Sequence, residues 1–192
     1  MVAASTRQPA FYFELADPWS YLVAERILGE LPVVAEWQPV HGAQLGFSPP
    51  PVDAQRLAEA VDRQGLLPLR LPRRWPPDSR LALLGATFAK GAGKTVAFSL
   101  AAFRQAFAGG RDLGDEGTVL IAAAACEMHP RAVLKGVEMR SVAESLQRTG
   151  ERALAAGVRS LPAIDLGCEV FDGAEALQRA TARLAAGTAG LR

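Results

Sequence analysis

Phe11-Tyr-Phe-Glu-Leu15, followed by Asp17-Pro18 and then by Trp19, Leu22, Val23 and Ile27, is the stretch that decides the fold. Residues 11–15 form an apolar, aromatic run and read as a buried strand. Asp17 is a strong helix N-cap, and Pro18 at the first helical position gives up no needed donor. The four apolar residues after it recur at helical spacing, and Gly29 lies near the stop. Residues 33–37 read as a second strand. A βαβ opening of this length favours a parallel pair with a right-handed crossover.

The far end of the chain supplies the matching half. Residues 162–166, Gly167 and residues 168–171 read as a tight β-hairpin. Asp172 and Glu175 have the spacing of a capping box for a last helix, whose buried stripe is Leu177, Ala180 and Leu184. Between the two halves the pattern is helical. Asp53 caps a short helix carrying Leu57, Ala60 and Val61, with Gly65 after it. Residues 67–77 are rich in proline and arginine and form a loop, after which Ser79 opens a helix to about residue 90. Val96, Leu100, Phe103 and Phe107 mark an amphipathic helix. Further helices are expected over about 117–128, 130–135 and 137–156, the last capped by Gly157. The fold class is therefore α/β: residues 9–45 and 157–190 form two halves of one small mixed sheet with its helices, and residues 46–156 are a helical insertion.

The bulk composition narrows the function. The chain has 192 residues, 49% hydrophobic and 21% charged, with a formal net charge of +1. That balance suits one globular domain and offers no basic surface for nucleic acid or anionic lipid. The opening Met1-Val-Ala-Ala-Ser-Thr-Arg-Gln-Pro9 has no apolar run of signal length, and no stretch is long enough to span a bilayer, so a cytoplasmic protein with no membrane partner is expected. Cys126 and Cys168 read as small hydrophobes instead of a disulfide. Gly93-Lys94-Thr95 lacks the earlier glycine of a phosphate-binding loop and follows a helix. Cys126 and His129 leave only His41 and Cys168 to complete a zinc site, so no metal is expected. There is no Gly-x-Ser-x-Gly.

What survives is the helix N-terminus at residues 17–20. Free N–H groups and the helix dipole favour an anion there. In thioredoxin-like proteins a reactive thiolate occupies that position, facing a cis-proline, and Leu161-Pro162 lies where such a proline belongs. Phe11-Tyr-Phe-Glu-Leu-Ala-Asp-Pro-Trp-Ser-Tyr-Leu22 resembles the opening of 2-hydroxychromene-2-carboxylate isomerases and kappa-class glutathione transferases, in the DsbA-like branch of the thioredoxin superfamily. Trp75-Pro-Pro-Asp-Ser79 is similar to that family's Phe-Pro-x-Asn-Thr. Phe103-Arg-Gln-Ala-Phe-Ala-Gly-Gly-Arg-Asp112 is similar to its Phe-Arg-Ala-x-Phe and Gly-Arg-Asp. Gly157-Val-Arg-Ser-Leu-Pro162, with Phe171-Asp-Gly-Ala-Glu-Ala-Leu177, resembles its Gly-Val-x-Gly-Val-Pro and closing Gly-x-Asp-Arg-Leu.

The resemblance implies a thioredoxin-like fold, a homodimer, and glutathione bound near Pro162 with its sulfur at the helix N-terminus. It implies an isomerase-like or transferase-like enzyme acting on a small organic acid. Asp17 and Ser20 are the catalytic candidates. Trp19, Trp75, Asp78, Leu161, Pro162 and Glu175 are assigned to the glutathione site. The family's serine falls on Asp17, its asparagine on Asp78 and its arginine on Ala176. An ionised aspartate, the form expected near neutral pH, can only accept hydrogen bonds and opposes a thiolate.

Each residue also has a plainer reading. Asp17 can be a cap alone, Ser20 can face its own backbone, and Phe13, Trp19 and Tyr21 can be core. Trp75 lines a pocket or packs. His41 reads as a solvated loop residue. Arg70, Arg73 and Arg74 form a solvated face or attract a carboxylate. The competing function is a non-catalytic binding domain that has lost its nucleophile. Dithiol–disulfide exchange is excluded, because neither cysteine lies on the first helix.

Overall fold

A computed structural model describes residues 7–47 and 53–189. Most of the N-terminal stretch read above for a leader, residues 48–52 of the insertion and residue 190 lie outside them. Strand β1 (Ala10–Phe13) is followed by helix α1 (Pro18–Glu30) and strand β2 (Glu36–Pro39). A short 3-10 turn (Gly42–Leu45) leads to α2 (Ala54–Arg63), α3 (Arg80–Gly91), α4 (Thr95–Phe107), α5 (Glu116–Ala125), α6 (Pro130–Val137) and α7 (Arg140–Ala156). Then come β3 (Ala163–Asp165), β4 (Val170–Asp172) and α8 (Ala176–Ala189).

The four strands lie in the order β2-β1-β3-β4. β1 runs parallel to β2, pairing Phe11 with Trp37, and antiparallel to β3, pairing Phe11 with Ile164. β3 and β4 are the expected antiparallel hairpin. The alternation of β1 sends Phe11 and Phe13 to one face and Ala10 and Tyr12 to the other. Phe11, Phe13 and Trp37 stack against Phe103 and Tyr21, with the Phe13 and Phe103 rings 5.7 Å apart. That aromatic cluster fastens α1 and α4 to the sheet, so the helical insertion shares one core with the two halves. The other face of the sheet is covered by Ala153 of α7 and by Val158.

Three local expectations change. The second strand is 36–39, not 33–37: residues 32–33 bend, Val34 is 83% exposed, and pairing with β1 begins only at Glu36. The first strand ends at Phe13, because Glu14 and Leu15 already turn toward the helix. Asp172 and Glu175 form no capping box. Asp172 ends β4, and its carboxylate accepts from the Arg159 N–H at 3.1 Å. Gly157 does cap α7 in the left-handed conformation, at φ 94°.

Candidate functional site

The chain leaves β1 at Glu14 and enters α1 through Asp17. The Asp17 backbone is extended (φ −101°, ψ 117°), which brings its carboxyl over the first turn. Oδ1 accepts from the Trp19 N–H at 3.1 Å, and Oδ2 accepts from the Ser20 N–H at 2.8 Å. The Ser20 hydroxyl donates to the same Oδ2 at 2.7 Å and accepts from the Glu14 N–H at 3.3 Å. Asp17 is thus a full N-cap. It is also only 4% exposed. Burial pushes its carboxyl up to about 7, against the opposing pull of the Ser20 hydroxyl and the two N–H donors; the charge of Glu14 adds to the rise. The expectation of a fully ionised Asp17 at neutral pH is corrected accordingly. Desolvation, which depends on everything packed around the cap, outweighs the helix end.

Glu14 is the neighbour that the sequence reading passed over. Its Oε1 accepts from the Ala16 N–H at 3.1 Å and its Oε2 from the Gly42 N–H at 2.9 Å. The Ser79 side chain hydrogen-bonds to it as well. One carboxyl therefore ties together the β1–α1 turn, the segment after β2 and the start of α3. Burial raises its pKa, and those donors oppose the rise. Ser79 consequently does not cap α3 with its side chain. Asp78 takes over that function, accepting from the Arg80 N–H at 3.0 Å.

Both acids open onto a cleft of about 480 Å³. Its walls include Trp19, His41, Phe47, Arg56, Pro76 and Pro77, together with Arg159, Leu161, Gly173 and Ala174 from the far end of the chain. Of the residues assigned in advance, Asp17, Trp19 and Leu161 meet there. Trp19 is half-buried, and its ring carries the Arg56 guanidinium at 5.1 Å. The Leu161–Pro162 bond is cis, and the buried Pro162 accepts from the Gly173 N–H at 2.8 Å through its carbonyl.

The other assigned residues lie elsewhere. Ser20 is 0% exposed and stands behind Asp17 as its hydrogen-bond partner, since the first helical turn points its hydroxyl inward. Trp75 packs against the core, and the two prolines after it line the cleft in its place. Asp78 is exposed and spent on its cap. Glu175 is exposed on the far side of Trp19, beside a second groove of about 520 Å³, where it pairs with Arg56 at 3.8 Å. Arg70, Arg73 and Arg74 do not line the cleft; Arg56 and Arg159 are the cations that do. His41 also lines it, and its Nδ1 is buried without a partner among the described residues. A glutamate inside an aromatic run was the one sequence signal available for Glu14. Nothing local marked His41, Arg56 or Arg159.

No family model matches this sequence, and no curated protein matches it either. Solved structures do match. A 2-hydroxychromene-2-carboxylate isomerase aligns over 97% of this chain and 100% of its own, with a TM-score of 0.81 and 19% identity. The fold is a DsbA-like thioredoxin fold. A probable DsbA oxidoreductase from Streptomyces coelicolor agrees, at TM-score 0.71 and 17% identity over 92% of this chain and 88% of its own.

At the start of α1, where the resemblance implies a thiol, this chain has the Asp17 carboxyl. Cys126 is buried at the end of α5, and Cys168 is exposed in the β3–β4 turn. The Trp19 and Ser20 N–H groups that would hold a glutathione thiolate are already taken by Asp17. These residues therefore do not fit that thiolate. Among the described residues there is no metal-binding cluster of His, Cys, Asp and Glu, and no helix long and apolar enough to cross a membrane.

Proposed function

We propose that this protein is an isomerase-like or transferase-like enzyme acting on a small organic acid, with Asp17 moving a proton where redox members of the fold use a thiol. The observation that carries the reading is the Asp17 carboxyl itself: buried at the floor of a cleft and titrating at about 7. A general acid–base works best when its pKa lies near the working pH. In an isomerisation, the Asp17 carboxylate takes a proton from one substrate atom and returns it to another. Atoms balance, and no oxidant, reductant or thiol is required. Ser20 holds Asp17 in place through Oδ2, while Oδ1 accepts from a single donor, the Trp19 N–H. The apolar walls from Pro76, Pro77 and Leu161 suit the carbon frame of such a substrate. A homodimer, implied by the resemblance, belongs to the same proposal and is checked by sedimentation.

The test is turnover in D2O of 2-hydroxychromene-2-carboxylate and related unsaturated hydroxy acids, with and without glutathione. The expected result is isomerisation at a rate that glutathione does not change, with deuterium at a substrate carbon wherever carbon receives the proton and Asp17 exchanges it with solvent before returning it. Asp17→Asn should lower that rate by about 100-fold or more. A variant as active as the parent refutes the assignment of Asp17. Absence of any turnover or exchange across the panel leaves the non-catalytic binding domain.

A further inference from the structure

Arg56 and Arg159 line the same cleft, one from α2 and one from the segment that precedes β3. Neither meets a carboxylate inside it. Arg56 rests on the Trp19 ring and has one loose ion pair outside the cleft, with the exposed Glu175 at 3.8 Å. The Arg159 guanidinium has no hydrogen bond or ion pair among the described residues; only its backbone N–H is engaged. The two acids of the cleft, Glu14 and Asp17, are buried and hold backbone and hydroxyl donors instead. Two guanidinium groups without an acid between them are matched to an external carboxylate.

The titratable and charged groups that line the cleft with Asp17 come from several elements. They are Glu14 from the end of β1, His41 from the end of β2, Arg56 from α2 and Arg159 from before β3. A carboxylate placed among them adds a negative charge beside the Asp17 carboxyl. That charge disfavours ionised Asp17, and by linkage a proton on Asp17 favours the bound anion. We propose that the cleft binds a small carboxylate together with one proton: Arg159 and Arg56 hold the carboxylate, and Asp17 takes the proton. This deepens the proposed function, on whose cleft it rests, by naming the charge state in which the substrate is held.

Benzoate, an unreactive single-ring acid, is the probe, with benzamide as its neutral counterpart. Calorimetric titrations of the full chain at pH 7, in two buffers of different ionisation enthalpy, report protons taken up on binding. The expected uptake is about half a proton, because Asp17 titrates at about 7. Benzoate affinity should fall as pH rises above 7, and benzamide should bind at least about tenfold more weakly. Arg159→Gln should weaken benzoate by about tenfold or more. Arg56→Gln should also weaken it, and Arg73→Gln, in the loop outside the cleft, should not. Asp17→Asn should abolish the proton uptake.

Equal binding of benzamide, unchanged affinity in Arg159→Gln, zero proton uptake, or no saturable benzoate binding would each overturn the inference. Isomerase turnover that survives any of these results keeps the proposed function and removes only this one. Benzoate binding with proton uptake, in a protein that turns over no acid, does the reverse.

Discussion

Replacing Asp17 by asparagine isolates the ionisation of one buried carboxyl while keeping an N-cap of similar quality. In the unfolded chain an aspartate titrates at about 3.9, whereas in the folded protein burial raises Asp17 to about 7. Between those values the folded state holds more protons than the unfolded state, so stability falls as pH rises. The Asp17 contribution is complete below about pH 4 and is lost as pH rises through about 7. A shift of about 3 units corresponds to about 4 kcal/mol. Glu14 is shifted in the same direction and its charge and that of Asp17 act on each other, so the difference between parent and Asp17→Asn reports Asp17 together with its interaction with Glu14. The assay is urea unfolding of both proteins from pH 4 to pH 8.5. Relative to the parent, the variant should gain up to about 4 kcal/mol across that range, with the gain levelling off above pH 7. A constant difference would mean that Asp17 is ionised throughout. That result would refute both the desolvation argument and the proton-transfer role built on it.

Ser20→Ala removes a hydroxyl donor to Asp17 Oδ2 and should raise the Asp17 pKa further, read by carbon NMR of the labelled carboxyl; a downward shift would contradict the geometry. Gly85 lies where a Cβ would meet Phe98 Cζ at 2.6 Å, so Gly85→Ala should overpack the α3–α4 contact and cost about 1–3 kcal/mol, measured by chemical denaturation. Insulin reduction with dithiothreitol should stay at the uncatalysed rate, because no cysteine stands at the start of α1; a rate like that of a thioredoxin would refute this. Glutathione should bind poorly to the parent protein by calorimetry, because Asp17 already holds the donors its thiolate needs; submicromolar binding would refute that assignment.

What the sequence determined by itself is the set of features whose causes are local. Asp17 caps α1 through donors two and three residues away, Gly157 ends α7 through its own φ, and the hairpin over 163–172 closes across a short turn. The aromatic run and the helical stripes carried the α/β arrangement, because periodicity records which face each element buries. Tertiary structure alone decided the chemistry of the cleft. Glu14 finds the Gly42 N–H 28 positions away and the Ser79 side chain from yet another element. It decided that Pro76 and Pro77 face the cleft while Trp75 packs on the core, and that Arg56 and Arg159 are the cations present there. It also decided the charge of Asp17. The cap bonds are local and favour the anion, but the desolvation that overrides them is exerted by the whole surrounding structure, and no spacing in the chain records it.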